Sequence, residues 1–160
     1  MRLFRRTLMI AATLAAAIGA TRARADVCCA VVELRQYELK PDQREALIDL
    51  FDANFIEPQE AVGNAIMGQF RDLDHPNRFV WLRGFQDMTT RAKALEAFYT
   101  SASWKAHRDA ANATMIDVGD VLLLRPLKPL PIGKRPRDEA ATGLVEVTVY
   151  AFATNVDAET

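Results

Sequence analysis

The sequence is poor in the groups on which most metal and nucleophile chemistry relies. Its 160 residues contain two histidines, His75 and His107, and two cysteines, Cys28 and Cys29. Neither pair shows the spacing of a zinc site, so no metal is expected. No serine or cysteine sits in an elbow-like context. Gly63 and Gly68 have phosphate-loop spacing, but Gln69 and Phe70 replace the Lys and Ser/Thr that such a loop needs. No cofactor is therefore expected. A basic excess is also missing: the net charge is −1, which argues against a nucleic-acid partner. The one long apolar run, residues 8–20, is too short to span a bilayer comfortably, so the mature protein should have no membrane span.

That run belongs to a leader. Three arginines fall within residues 1–6, the apolar stretch follows, and Ala23 and Ala25 precede a cleavage point near Ala25/Asp26. This three-part layout predicts a cleavable signal peptide over residues 1–25 and a periplasmic or secreted product. Arg5 and Arg6 leave both general secretory and twin-arginine export open. Removing the leader's five arginines from the 20 basic residues leaves 15 against 21 acids, a net charge of −6. Such a surface suits a soluble, self-repelling protein. Cys28 and Cys29 then lie near the new N-terminus. Adjacent cysteines rarely bond each other because the ring is strained. The readings left are an intermolecular disulfide, a soft-metal contact or, preferred, two incidental thiols at a strand edge.

The remainder reads as one α+β domain over residues 26–126. Strands are expected at residues 30–39, 64–72, 78–85 and 118–125, from β-branched and aromatic content with alternating polarity. Asp42 and Glu45 suggest a capping box for a first helix carrying Leu47, Leu50 and Phe51 on one face. Residues 74–77 form a turn. Residues 87–90 offer caps for a second helix with Ala94, Leu95 and Phe98 inward, and Trp104, His107, Arg108 and Ala111 share one face of a third. The order β-α-β-β-α-β is that of the ferredoxin-like split βαβ unit, with a four-stranded antiparallel sheet covered by helices on one side.

Alternation divides each strand into two sets. Val32 and Leu34, Ile66, Gly68 and Phe70, and Val80, Leu82 and Gly84 are aliphatic or small and are expected beneath the helices. Glu33, Arg35 and Tyr37, with Gln69 and then Trp81 and Arg83, are expected on the open face. There they would make a pocket in which Arg35 or Arg83 holds an anionic or carbonyl oxygen while Trp81 and Tyr37 stack on an apolar body, or else a dimer interface with internal ion pairs. Trp104 and His107 are placed at its mouth, His107 as a pocket acid or base or as a packing ring.

The stretches VVELRQYELKPDQREALIDLFDANFIEPQEAVG, IMGQFRDLDHPNRFVWLRGFQDMTTRAKALEAFY and WKAHRDAANATMID resemble a bacterial member of the NIPSNAP family, from about Val31 to Arg125. The resemblance implies a dimeric α+β barrel of the type found in the antibiotic biosynthesis monooxygenase group, and hence a homodimer. It supplies no catalytic motif. The expected function is a small-molecule-binding or interaction module with a small apolar or aromatic ligand. The alternative is a cofactor-independent oxidoreductase that positions an aromatic substrate with His107, Arg83 and Tyr37.

Prolines at positions 126, 129, 131 and 136 mark residues 127–142 as an extended linker. Beyond it, GLVEVTVY at 143–150 matches AVVELRQY at 30–37 in register at Val, Glu and Tyr. Residues 143–160 are thus expected to add an extra C-terminal strand, the opening of a second, truncated copy of the domain.

Overall fold

The computed structural model describes residues 26–128, 130–132 and 143–152. The signal peptide expected at residues 1–25, much of the linker and residues 153–160 lie outside the described residues. The chain runs β1 (Asp26–Cys28), β2 (Val31–Leu39), α1 (Arg44–Asn54), α2 (Ile56–Ala61), β3 (Ala65–Arg71), β4 (Arg78–Phe85), α3 (Met88–Thr100), α4 (Ala102–Thr114), β5 (Met115–Leu124) and β6 (Leu130–Ile132). Strands β3, β4, β2 and β5 form, in that order, a four-stranded antiparallel sheet. This is the ferredoxin-like α+β topology expected from the sequence.

Local chemistry sets the helix boundaries. Asp87 begins α3 by accepting from the Thr90 N–H at 2.6 Å, and Ser101 begins α4 by accepting from the Trp104 N–H at 3.1 Å, each satisfying a donor the helix leaves unpaired. The capping box expected for α1 is absent. Asp42 lies at φ 62° within the preceding turn, and the cap position falls to Gln43 with no side-chain bond. Glu45 instead accepts from Arg71 of β3 at 2.9 Å. Pro58 is tolerated in the first turn of α2, where its missing N–H has no helical partner to lose.

The expected layering is inverted. Leu47, Ile48 and Phe51 of α1, Phe55, Ile56 of α2, Phe98 of α3 and Ala111 of α4 pack on Tyr37, Phe79 and Trp81. The helices therefore cover the set containing Glu33, Arg35, Tyr37, Trp81 and Arg83, and the aliphatic set faces the other way. Aromatic area explains the choice, because Phe51 meets Phe79 and Trp81 with ring centroids 5.6 and 4.8 Å apart, a denser union than the aliphatic set offers. In β3 the parity also changes. A bulge between Ile66 and Gly68 puts Ile66 opposite Arg83 and Gln69 opposite Trp81, so Ile66 joins the helix side.

Two more departures concern the ends. The additional C-terminal strand exists but is β6, inside the segment read as linker, and it pairs antiparallel with β1. Residues 143–152 form no strand and are exposed; a strand needs a paired edge, and this segment meets none among the described residues. Cys28 and Cys29 are bonded to each other, contrary to the expectation of unpaired thiols. Cys29 adopts φ 87°, a left-handed turn that swings it over Gly84, where any Cβ would collide with its sulfur.

Because Phe51 is buried against the rings of Phe55, Phe79 and Trp81, Phe51→Ala should lower unfolding free energy by about 3–5 kcal/mol in urea titrations, with the slope unchanged.

Candidate functional site

Beneath the helices, Glu33 projects from the central strand β2 and is fully enclosed, with 0% exposure. Both its oxygens are used. Oε2 accepts from the Arg83 Nε at 2.7 Å and from the Arg35 Nη1 at 2.8 Å, and Oε1 accepts from the Arg91 Nε at 2.6 Å. Arg83, 1% exposed, stands directly across the ladder on β4 and also donates to the Gln59 side-chain oxygen at 2.9 Å. Burial pushes the Glu33 carboxyl up, but the charge of Arg83 and the hydrogen bonds from Arg35, Arg83 and Arg91 outweigh it and hold the group below its ordinary value of 4.5. Three guanidinium groups thus share one carboxylate, and these four residues carry two more positive than negative charges.

The aromatic side chains stand against this cluster. Trp81 has the Arg83 guanidinium 5.1 Å and the Arg35 guanidinium 5.5 Å from its ring centre, the arrangement of a cation–π pair. Arg35 Nε donates to the Tyr37 hydroxyl at 3.0 Å. Burial pushes the Tyr37 phenol up, against the pull of Arg35, so Tyr37 stays neutral near pH 7 and keeps its proton to donate. The Trp81 Nε1–H is buried and has no hydrogen-bond partner.

Tyr37 and Trp81 line a cavity of ≈ 40 Å³ between sheet and helices, together with Phe51, Phe55, Phe98, Trp104 and the exposed Tyr99. A water needs about 10–15 Å³ of such volume, so the cavity holds water-sized or small polar groups. It is smaller than the roughly 150 Å³ that takes up benzene. An aromatic ligand therefore requires the cavity to widen.

The sequence-predicted candidates separate into groups. Glu33, Arg35, Tyr37, Trp81 and Arg83 come together, on the helix side and not on the open face. Trp104 joins them across the cavity. Gln69 lies apart: its amide donates to Asp52 at 2.7 Å, and its buried carbonyl oxygen lacks a partner. His107 packs edge-on against Phe55 with centroids 6.4 Å apart, the packing-ring outcome. Sequence reasoning missed Gln59 and Arg91. A signal existed for both, since Gln59 continues the inward stripe of Phe51 and Phe55, and Arg91 heads the stripe of Ala94 and Phe98. A charged or amide residue on a core-facing stripe needs a buried partner. Among the described residues, no group of three His, Cys, Asp or Glu could hold a metal, and no helix is long and apolar enough to cross a membrane.

A four-stranded antiparallel sheet covered by helices on one side defines the class of ferredoxin-like α+β domains. The family model for NIPSNAP matches residues 32–131, and the chain belongs to the NIPSNAP family. Among solved structures, an uncharacterized NIPSNAP-like domain protein from Burkholderia xenovorans shares 26% identity, with a TM-score of 0.58 over 68% of this chain and 97% of that one. A NIPSNAP family protein of unknown function from Agrobacterium tumefaciens shares 20% identity, with a TM-score of 0.55 over 60% and 86%. A protein from Nitrosomonas europaea, provisionally assigned to the antibiotic biosynthesis monooxygenases, shares 20% identity at a TM-score of 0.50 over 61% and 99%, a likeness of fold alone. A search of the curated proteins gave no match.

Glu33→Gln leaves three guanidinium groups around a neutral amide and should cost about 3–5 kcal/mol of stability, measured by chemical denaturation at pH 7. The folded carboxyl titrates below its unfolded value of 4.5, so its stabilisation is complete above that pH and is lost as pH falls through the folded value. The gap between wild type and Glu33→Gln should therefore narrow on acidification below about 4.5.

Proposed function

We propose that this NIPSNAP domain is an exported homodimer that binds a small apolar or aromatic molecule bearing an acceptor oxygen, in the cavity between sheet and helices. The observation that carries this reading is the buried, unpartnered indole N–H of Trp81, a residue that lines a cavity walled by aromatic rings together with Leu47, Ala111, Met115 and Gln59. A buried donor without an acceptor costs about 1–3 kcal/mol, and an oxygen entering the cavity removes that cost. The Tyr37 hydroxyl is a second donor on the same wall. The guanidinium excess of the cluster behind them favours a carbonyl or anionic oxygen over a cation.

Dimerisation is supported by the other side of the sheet. Phe70, Val80, Leu82 and Leu122 share the face opposite the helices and are only half-buried, an apolar surface suited to a second copy. The leader-like residues 1–25 support export, and intact-mass measurement of the cell-derived protein should find a chain beginning near Asp26.

Native mass spectrometry of protein purified from its own source should show a dimer retaining a small ligand, and Trp81→Phe should release that ligand while leaving the dimer. A ligand-free wild type, or a variant that binds as well, contradicts the pocket. Leu82→Arg should convert the dimer to a folded monomer by light scattering, and a wild type that is already monomeric contradicts the interface.

A further inference from the structure

Three sulfur atoms converge at the end of the sheet where β1 enters β2. Cys28 and Cys29 are adjacent and bonded. Cys29 is buried, and its left-handed backbone, φ 87°, directs its side chain across to β4. The point of convergence is Gly84. A Cβ built there would collide with the Cys29 Sγ, would lie 2.9 Å from the Cys29 Cβ and would lie 3.1 Å from the Met67 Sδ. Both sulfurs therefore lie within reach of one missing methyl group. Gly84 pairs with Val32 across the ladder, so this point is on the face opposite the helices, away from the Trp81 cavity.

We propose that Cys28, Cys29 and Met67 form, when the cysteine pair is reduced, a three-sulfur site for a soft monovalent metal ion, Cu(I). Two thiolates and a thioether are the donor set that selects Cu(I) over harder cations. Metal–sulfur bonds of about 2.3 Å allow one ion to reach donors that crowd a single glycine. Half-buried Cys28 gives the ion an approach from solvent. Reduction uses an external dithiol: its two thiols are oxidised to a disulfide, the Cys28–Cys29 bond breaks, and two electrons and two protons pass to the cysteine sulfurs. Cu(I) then displaces the thiol protons to water as it binds. The oxidised pair has no thiolate to offer, so the site exists in one redox state and is closed in the other.

The test uses the full chain, reduced with a dithiol and kept anaerobic, titrated with Cu(I) against a coloured bidentate Cu(I) chelator. One equivalent of Cu(I) should leave the chelator. Met67→Leu should weaken binding at least about tenfold, the loss that follows even removal of an outer partner of a metal ligand, with an unchanged circular dichroism spectrum. Cys29→Ser should abolish binding, and X-ray absorption should show about three sulfur scatterers around copper. The proposal is overturned if the chelator keeps its copper, if Met67→Leu binds as tightly as wild type, or if the pair cannot be reduced without unfolding the chain. None of these outcomes bears on Trp81 or the ligand cavity.

Discussion

A single enclosed carboxylate organises this domain. Glu33 sits on the central strand, and its partners come from every layer that must meet there: Arg35 from its own strand, Arg83 from the neighbouring strand, and Arg91 from α3. Arg83 extends the connection to α2 through Gln59. Burying such a charge is costly, and the cost is offset when every lone pair meets a donor in good geometry. That requirement fixes the depth of α2 and α3 over the sheet. It also fixes the tilt of Trp81, which lies against both Arg35 and Arg83.

The cavity follows from that arrangement. With the guanidinium groups committed to Glu33, the aromatic rings beside them close over a small space, and the buried N–H of Trp81, which lines it, has no acceptor. The sheet thus separates two different chemistries. Hydrogen-bond donors and aromatic faces lie beneath the helices, an aliphatic surface lies on the other side, and the sulfur atoms of Cys28, Cys29 and Met67 gather at the end of that aliphatic surface. Each is placed by the two-residue period of the strands and the bulge between Ile66 and Gly68.

The four strands of the sheet, the helices α1, α3 and α4 and their order were legible in the sequence, because alternation, the capping residues at 87–90 and inward stripes all carry local signals, whereas α2 and the short strands β1 and β6 were not. The division of each strand into two sets was legible too, apart from Ile66, whose side a bulge reverses. Which set faced the helices was not. An aliphatic set suggests a core, but the helices bring Phe51, Phe55 and Phe98, which pack with Tyr37, Phe79 and Trp81, and the charges travel inward because they satisfy one another. That mutual satisfaction depends on Arg91 and Gln59, distant in sequence and paired only in space. Six of the eight candidate residues meet around the cavity or its cluster. Gln69 and His107 do not, since Asp52 holds the first and Phe55 packs the second. The pairing of Cys28 with Cys29 was likewise hidden, being set by the turn at Cys29 and the bare backbone at Gly84.

The most direct test of the central claim is a double-mutant cycle on Glu33 and Arg83, combining Glu33→Gln with Arg83→Met and reading unfolding free energies at pH 7. A buried, cross-strand ion pair at the centre of the cluster predicts a coupling of about 2–3 kcal/mol, at the upper end for contacting residues. Additive effects, with coupling indistinguishable from zero, would contradict it and would place the two side chains apart in the folded protein.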